Sequence, residues 1–494
     1  MNYGKFSAIM KLLIVGILLT LQILILFFAV DVLRQYFAFI YTILEIFSIA
    51  AIFALLSEHN NQVYKFSWAM IVAIFSVSGL LMYLMWGREN KSVKLKRNME
   101  RVLLRSKAFA KLVGGAEEQL NSQYPYFKRF CKYLQNEGFE PFSNTTGTYL
   151  PSGEQKFEAL FQDLERAEKF IFLEYFIVYE GEIFDRLYEI LKRKAKQGVE
   201  VRFICDDAGS IFITSRKFIS RFKSDNISYQ IFNPMHRYVD KLYFNYRNHQ
   251  KIAIIDGNIG YCGGINIADE YANIYKKHGH WKDSAIRLEG DGVWGLTRIF
   301  LEMWEFSGGF ITEDYSIYKP DKNICGNGFF QPFADGPTNN PHNPAETMYN
   351  LIISNANNYV YITTPYLAIN ESLMTSMITA AQSGIDMRIV TPKIFDHWYT
   401  DYITCSYYEP LLKEGVRIFE YSPGFMHSKT IISDDSNAIV GSINLDYRSF
   451  YLHYECGVWI CNAPVIKDIL TDYKNIFELI EEISLENWKQ RPFW

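Results

Sequence analysis

No Cys-x-x-Cys pair occurs in the 494 residues, and the seven cysteines (131, 205, 262, 325, 405, 456 and 461) are odd in number and scattered. That excludes an obvious disulfide framework and the usual zinc-site spacings, and it points the globular part to a reducing compartment. Cys262, beside Gly263 and Gly264, is expected to be a small core residue. A basic excess is also missing: 50 Lys and Arg stand against 54 Asp and Glu, a net charge of −4. A general nucleic-acid binder normally shows the opposite balance. What the chain has in quantity is hydrophobic and aromatic residues, 49% and 16%. These suffice for more than one core and suit contact with lipid headgroups.

Its most informative stretch occurs twice. His249, Lys251 and Asp256 form one H-x-K-x-x-x-x-D phrase, and His427, Lys429 and Asp434 form another. Gly263, Gly264 and Asn266 follow the first at the same offsets as Gly441, Ser442 and Asn444 follow the second. Agreement at this many polar or small positions indicates a duplicated unit with a duplicated site. The alternation His, x, Lys running into an apolar stretch reads as a strand that projects both side chains from one face. Imidazole can act as nucleophile or general acid/base near neutral pH, and lysine is a positive charge suited to a phosphate oxygen. Asn adds a neutral donor, and the adjacent Gly or Ser leaves room for a phosphoryl group.

Two such half-sites supply two imidazoles to one phosphodiester, the arrangement that double displacement requires. One imidazole attacks phosphorus while the other protonates the leaving alcohol, and the roles then reverse. His249 is assigned as nucleophile and His427 as acid/base. Lys251, Lys429, Asn266 and Asn444 bind phosphate, so neither metal nor cofactor is required. Asp283 and Glu455, which follow the two motifs, orient the imidazoles. Asp256 and Asp434 complete the motifs at the strand ends, where a turn-forming, structural Asp is the default. His59, His236, His278, His280, His342, His397 and His453 read as ordinary surface or loop residues, with His280 and His453 close enough to line a pocket.

The paired motifs resemble those of the phospholipase D superfamily. The stretches His280-Trp281-Lys282-Asp283 to Gly290, and Gly441 to Ser449 with Glu455, are similar in particular to bacterial cardiolipin synthases. The resemblance implies an α/β protein in which two tandem sandwich units form one active site behind N-terminal transmembrane helices. It implies transfer of a phosphatidyl group between two phosphatidylglycerols, giving cardiolipin and glycerol through a phosphohistidine. Phosphatidylglycerol, cardiolipin and the bilayer are the partners so implied, with self-association left open and no nucleic acid. The chain departs from the family pattern by stopping soon after Arg491-Pro492, where Trp488, Phe493 and Trp494 replace a further apolar tail. A phospholipase D hydrolase uses the same motifs with water as acceptor, and a non-catalytic membrane scaffold or a nuclease of the superfamily fits less well.

Residues 1–87 carry three apolar runs, 12–30, 36–56 and 66–86, each long enough to span a bilayer of about 30 Å. The first lacks a small-residue cleavage site and reads as retained. Glu45, inside the second, needs a helix partner or a proton, or marks a functional position. Arg88, Lys91, Lys94, Lys96, Arg97, Arg101, Arg105, Lys107 and Lys111 follow the third run. By the positive-inside rule they place the catalytic units in the cytoplasm of a multi-pass bacterial membrane protein, and they suit anionic headgroups. Residues 88–145 read as a basic linker and helical connector, 146–330 as the first unit and 331–494 as the second. Arg237, Lys241 and Arg247 are loop charges available to headgroup phosphates. Residues 335–341 form a turn-rich linker beside the pocket, and 465–483 a helix. Gly198 and Gly384 occupy the same helix-to-strand junction in the two units.

Overall fold

The computed structural model describes residues 13–14, 16–25, 34–57, 62–84, 93–210, 216–234, 245–339 and 342–491. The chain divides into Met1–Leu95 with Pro234–Phe244, and Lys96–Asn233 with Asn245–Trp494.

In the first unit, Phe39–Ser57 is the one helix among the described residues long and apolar enough to cross a membrane, with mean hydropathy 2.3. The first apolar run is described as helix over Gly16–Ile25, and residues 26–33 lie outside the described residues. The third run is not one continuous helix: Gln62–Ile74 ends at a bend at Phe75, and Ser76–Met82 follows. A bend frees backbone groups that an apolar environment cannot satisfy. Here Ser48 Oγ donates to Ser76 O at 2.6 Å, and Ser78 N donates to Gln22 Oε1 at 2.8 Å. Glu45 is exposed on its helix.

The second unit holds two mixed sheets built to one plan. The first runs in the order Thr145–Leu150, Ala285–Gly290, Ile259–Gly263, Ile252–Ile255, Phe170–Tyr175, Glu200–Asp206 and Ser228–Phe232. The second repeats it as Phe329–Asp335, His453–Cys461, Asn437–Gly441, Thr430–Ser433, Tyr359–Thr363, Asp386–Pro392 and Arg417–Tyr421. Near-continuous apolar strands such as Phe170–Tyr175, buried at every residue, belong in sheets covered on both faces. On one face the helices Gly153–Glu165 and Glu182–Lys196 bring Leu160, Leu164 and Leu187 against Ile171 and Phe203. On the other, Phe172 stacks on Phe300 at 4.8 Å within Val293–Phe306, a helix with every residue buried. Gly198 and Gly384 take φ of +91° and +89° after their helices, the left-handed turn expected at those junctions.

One expectation changes. The helix expected over 465–483 stops at Leu479, because Glu481–Ile483 adds antiparallel to Arg417–Tyr421 with Ile483 opposite Ile418. From Lys96 onward the basic connector belongs to the same unit as the two sheets. Arg105 ion-pairs with buried Glu305, Ser106 donates to Glu302, and Phe109 stacks on Tyr315 at 5.1 Å. Arg105 is thereby occupied by protein rather than left for headgroups.

Candidate active site

Two short parallel strand pairs join the repeats. Gly424–Met426, immediately before His427, pairs with His280–Lys282; Arg247–Asn248, immediately before His249, pairs with the start of His453–Cys461. His427 N donates to Lys282 O at 2.7 Å and His249 N to Tyr454 O at 2.8 Å. The next residue in each partner strand is therefore set beside the imidazole. His427 Nδ1 lies 2.5 Å from Asp283 Oδ2, and His249 Nδ1 lies 2.9 and 3.0 Å from the two Glu455 oxygens. Each carboxylate holds the histidine of the other repeat, fixing the proton on Nδ1 and leaving Nε2 to react.

Both imidazoles and both carboxylates are buried. Burial, followed by the charges of Lys251 and Lys429, pushes His249 well below its ordinary value. Burial and Lys429 push His427 down to about 4 against the opposing pull of Asp283. Both are neutral at pH 7, as a nucleophile requires. Burial also lowers Lys429 to about 7 and Lys251 to about 8. Each lysine Nζ donates to the carbonyl of its own motif His. A buried site flanked by two lysines favours an anion, which would restore the lysines to their charged form.

The two halves are not copies in detail. Two residues before Asp283 stands Trp281, its ring 5.2 Å from His427; two residues before Glu455 stands His453, its ring 5.2 Å from His249. His453 Nε2 accepts from Arg448 Nε at 3.3 Å, which puts its proton on Nδ1, 3.6 Å from Glu455 Oε1. Ser442 Oγ also donates to Glu455. The matching Gly264 has no such option, since a Cβ there would meet Asp283 Oδ1 at 2.3 Å. Each carboxylate thus has two hydrogen-bond donors, Glu455 the side chains of His249 and Ser442, and Asp283 the His427 ring and the backbone N of Ser284. His249, His453 and Glu455 are also the group among the described residues with metal-ligand atoms within 4.8 Å of one another. An ion held there would take the Glu455 oxygens that His249 uses.

A family model described as the phospholipase D-like domain of cardiolipin synthase matches residues 160–276 and 350–478, and one described as Phospholipase_D-nuclease N-terminal matches 46–88. A cardiolipin synthase of Geobacillus kaustophilus is 33% identical over 443 residues, covering 88% of this chain and 87% of that protein. The chain belongs to the cardiolipin synthase family. A Streptococcus mutans protein is also similar, 35% identical over 446 residues, covering 88% of this chain and 94% of its own. The fold alone is shared with the crystal structure of phosphatidylserine synthase from Haemophilus influenzae, at 13% identity and TM-score 0.56, over 74% of this chain and 93% of that one.

The remaining residues of this cardiolipin synthase family site separate by geometry. Asn266 uses its amide internally: Oδ1 accepts from Ile177 N at 3.0 Å and Nδ2 donates to Tyr271 OH at 2.8 Å. Asn444 is buried with Oδ1 unpaired among the described residues. Asp256 and Asp434 lie at the turns beyond the strands, in left-handed conformation with φ of 53° and 52°. Asp256 accepts from the backbone N of Glu168, Lys169 and Phe170, and Asp434 from those of Asn357, Asn358 and Tyr359. Each ties its turn to the start of the neighbouring strand. Asp434→Ala is expected to lower stability by about 1–3 kcal/mol, the cost of stranding those donors. Turnover per folded molecule should persist, which a denaturant series beside an activity assay on the detergent-solubilised protein would show.

Arg247 is not a loop charge: it is buried, with Nη1 3.4 Å from Asp206 Oδ1. Arg237 and Lys241 lie outside the described residues, as do His59, His236, Phe493 and Trp494. His280 is half-buried with Nδ1 3.0 Å from Tyr421 OH. Trp488 packs on Tyr408 at 5.0 Å. In the turn-rich linker, Asp335 is buried opposite Glu455 and accepts from Ala345 N at 3.0 Å. Cys262 is buried, with its Sγ 3.5 Å from Cys456 Sγ of the second sheet. The residues missed at the sequence level are the aromatic walls, Phe176 beside His249 and Phe425 and Tyr271 beside His427; His453, expected near the pocket, lies beside Glu455. Only the position of His453, matching Trp281 two residues before a carboxylate, signalled its place.

Proposed function

We propose that the chain is a phosphatidyltransferase that converts two phosphatidylglycerols into cardiolipin and glycerol. The observation that carries this reading is the crossed pair of His–carboxylate contacts, each beside a buried lysine, in a chain of the cardiolipin synthase family. His249 Nε2 attacks phosphorus, and the glycerol oxygen leaves with a proton from His427. The hydroxyl of a second phosphatidylglycerol then returns a proton to His427 and attacks the phosphohistidine, freeing His249. Burial and then the charge of Lys429 hold His427 at about 4; the diester's negative charge offsets the lysine part, so the proton it donates is taken up with substrate. Lys251, Lys429 and Asn444 stabilise the equatorial oxygens.

The membrane arrangement we propose has three crossings, with the third formed by the bent pair Gln62–Ile74 and Ser76–Met82, and the catalytic body in the cytoplasm. Support comes from the three apolar runs and the basic residues that follow them. The deciding assay supplies phosphatidylglycerol as sole lipid substrate in proteoliposomes with EDTA, and resolves lipid products by mass alongside free glycerol. Cardiolipin with one equivalent of glycerol is expected. Phosphatidic acid as main product would make the enzyme a hydrolase, and no phospholipid turnover would remove the lipid assignment.

A pH profile gives a second reading of the same site. Lys429, facing Asp283, Lys251, Glu455 and Asp446, carries its charge below about 7 and loses it above. Lys251 follows at about 8. Since the charged forms bind the phosphodiester, kcat/KM is expected to fall as pH rises through this window, mainly through a rising KM. A value constant from pH 6 to 9 would remove the lysines as titrating phosphate ligands.

A further inference from the structure

Beyond the aromatic wall of His427 lies a patch that packing leaves uncovered. The helix Trp398–Ser406 is anchored through Thr404, its one buried residue, whose Oγ1 accepts from Leu367 N at 3.1 Å. Leu367 in turn pairs with Leu445, next to Asn444. The rest of the helix turns outward: Trp398 is 83% exposed, Tyr402 64%, and Tyr399 48%. A second strip, the loop at 274–277, presents Ile274 and Tyr275, the latter 62% exposed, with Lys276 and Lys277 also exposed.

The two strips adjoin each other and the site. His278, at the end of the loop, is lowered by burial and by Lys277, and it feels the charges of Asp396 and His397 at the foot of the helix. Its ring lies 6.3 Å from Phe425 and 6.4 Å from Trp281, the two aromatics that wall His427 at 5.6 and 5.2 Å. Asp396 is held from the other side by Tyr366 OH at 2.6 Å, and Tyr366 also packs on Phe425. One layer of side chains therefore separates the patch from the reacting imidazole.

Exposed Trp and Tyr are costly in bulk water, and they are the residues that settle at a membrane–water interface. Lysines on the rim select for anionic headgroups. We propose that the helix Trp398–Ser406 and the loop at 274–277 form a docking surface for an anionic lipid leaflet, which sets the His427 side of the cleft against the headgroups. The occupant is a bilayer rather than a second copy because the patch joins aromatics with lysines and is continuous with a site that takes lipid. This rests on the lipid-transferase reading above.

The test uses the full chain in two bilayer settings. In vesicles containing phosphatidylglycerol brominated along its acyl chains, the fluorescence difference between wild type and Trp398→Phe isolates Trp398, which should be quenched. That readout does not depend on turnover. In kinetics, Trp398→Ser with Tyr402→Ser should lower kcat/KM on bilayer phosphatidylglycerol by about tenfold. It should leave turnover of dihexanoyl phosphatidylglycerol, supplied from solution to protein in neutral nanodiscs, within about twofold of wild type. An unquenched Trp398, equal losses on both substrates, or Trp398 shielded by self-association would each overturn the docking surface. Quenching without any lipid turnover would leave the surface standing and remove the transferase reading instead.

Discussion

His427→Ala is expected to strand a phosphatidyl group on the enzyme. With a substrate whose leaving group is p-nitrophenol, which departs without a proton donor, the variant should release one equivalent in a burst and then stall. The second step needs His427 to deprotonate the incoming hydroxyl, so a phosphatidyl-His249 adduct should be recoverable by peptide mass analysis. On phosphatidylglycerol itself, where the leaving glycerol oxygen needs a proton, turnover should fall on the order of 10³–10⁴-fold. His249→Ala should show no burst on either substrate, because the atom that forms the covalent bond is gone. The contrast rests on the two Nδ1 contacts, 2.5 Å to Asp283 and 2.9 Å to Glu455, which orient two imidazoles that burial keeps neutral but do not make them equal. A burst in His249→Ala and none in His427→Ala would reverse the roles. No burst in either would remove double displacement.

The second large effect follows from the crossing. Glu455→Gln should reproduce the His249 defect and Asp283→Asn the His427 defect, although Glu455 lies nearest in sequence to His427 and Asp283 to His249. An amide in place of the carboxylate favours the wrong tautomer and no longer stabilises the imidazolium, a loss of about 10⁴ in the turnover of comparable His–carboxylate pairs. The readout that separates positioning from mere destabilisation is the burst: it should survive Asp283→Asn and vanish in Glu455→Gln at equal unfolding midpoints. Were both variants to behave alike with the p-nitrophenyl substrate, the one-to-one assignment of carboxylates to imidazoles would be wrong.

Much of this was readable in the chain because the repeat is local. The H-x-K phrase, the Asn at a fixed offset and the glycines at 198 and 384 each depend on short stretches whose period or φ requirement is set nearby. The crossed pairing was not readable. It arises from strands such as Gly424–Met426 and His280–Lys282, far apart in sequence and only three residues long, whose register no local pattern specifies. His453 was expected near the pocket, but its place between Arg448 and Glu455 was not readable for a related reason. The expected C-terminal helix ran too long because Glu481–Ile483 has a strand partner in Arg417–Tyr421. The docking of the basic connector was not readable because its acceptors, Glu302 and Glu305, lie about two hundred residues downstream.

The strand pairs that carry each histidine into the other half also decide how such a site could arise and change. A repeat by itself has an imidazole without its carboxylate and a carboxylate without its imidazole, so it is functional only against a partner of the same shape. Two identical chains meeting across a two-fold axis would satisfy that need, but they would bind any substrate identically from either end. Joining the halves in one chain removes the obligation of symmetry while preserving the mutual dependence. Differences at Gly264 and Ser442, or at Trp281 and His453, can then accumulate on one side alone. Donor and acceptor alcohols are chemically alike in this reaction, and fusion allows the two sides of the site to hold them differently.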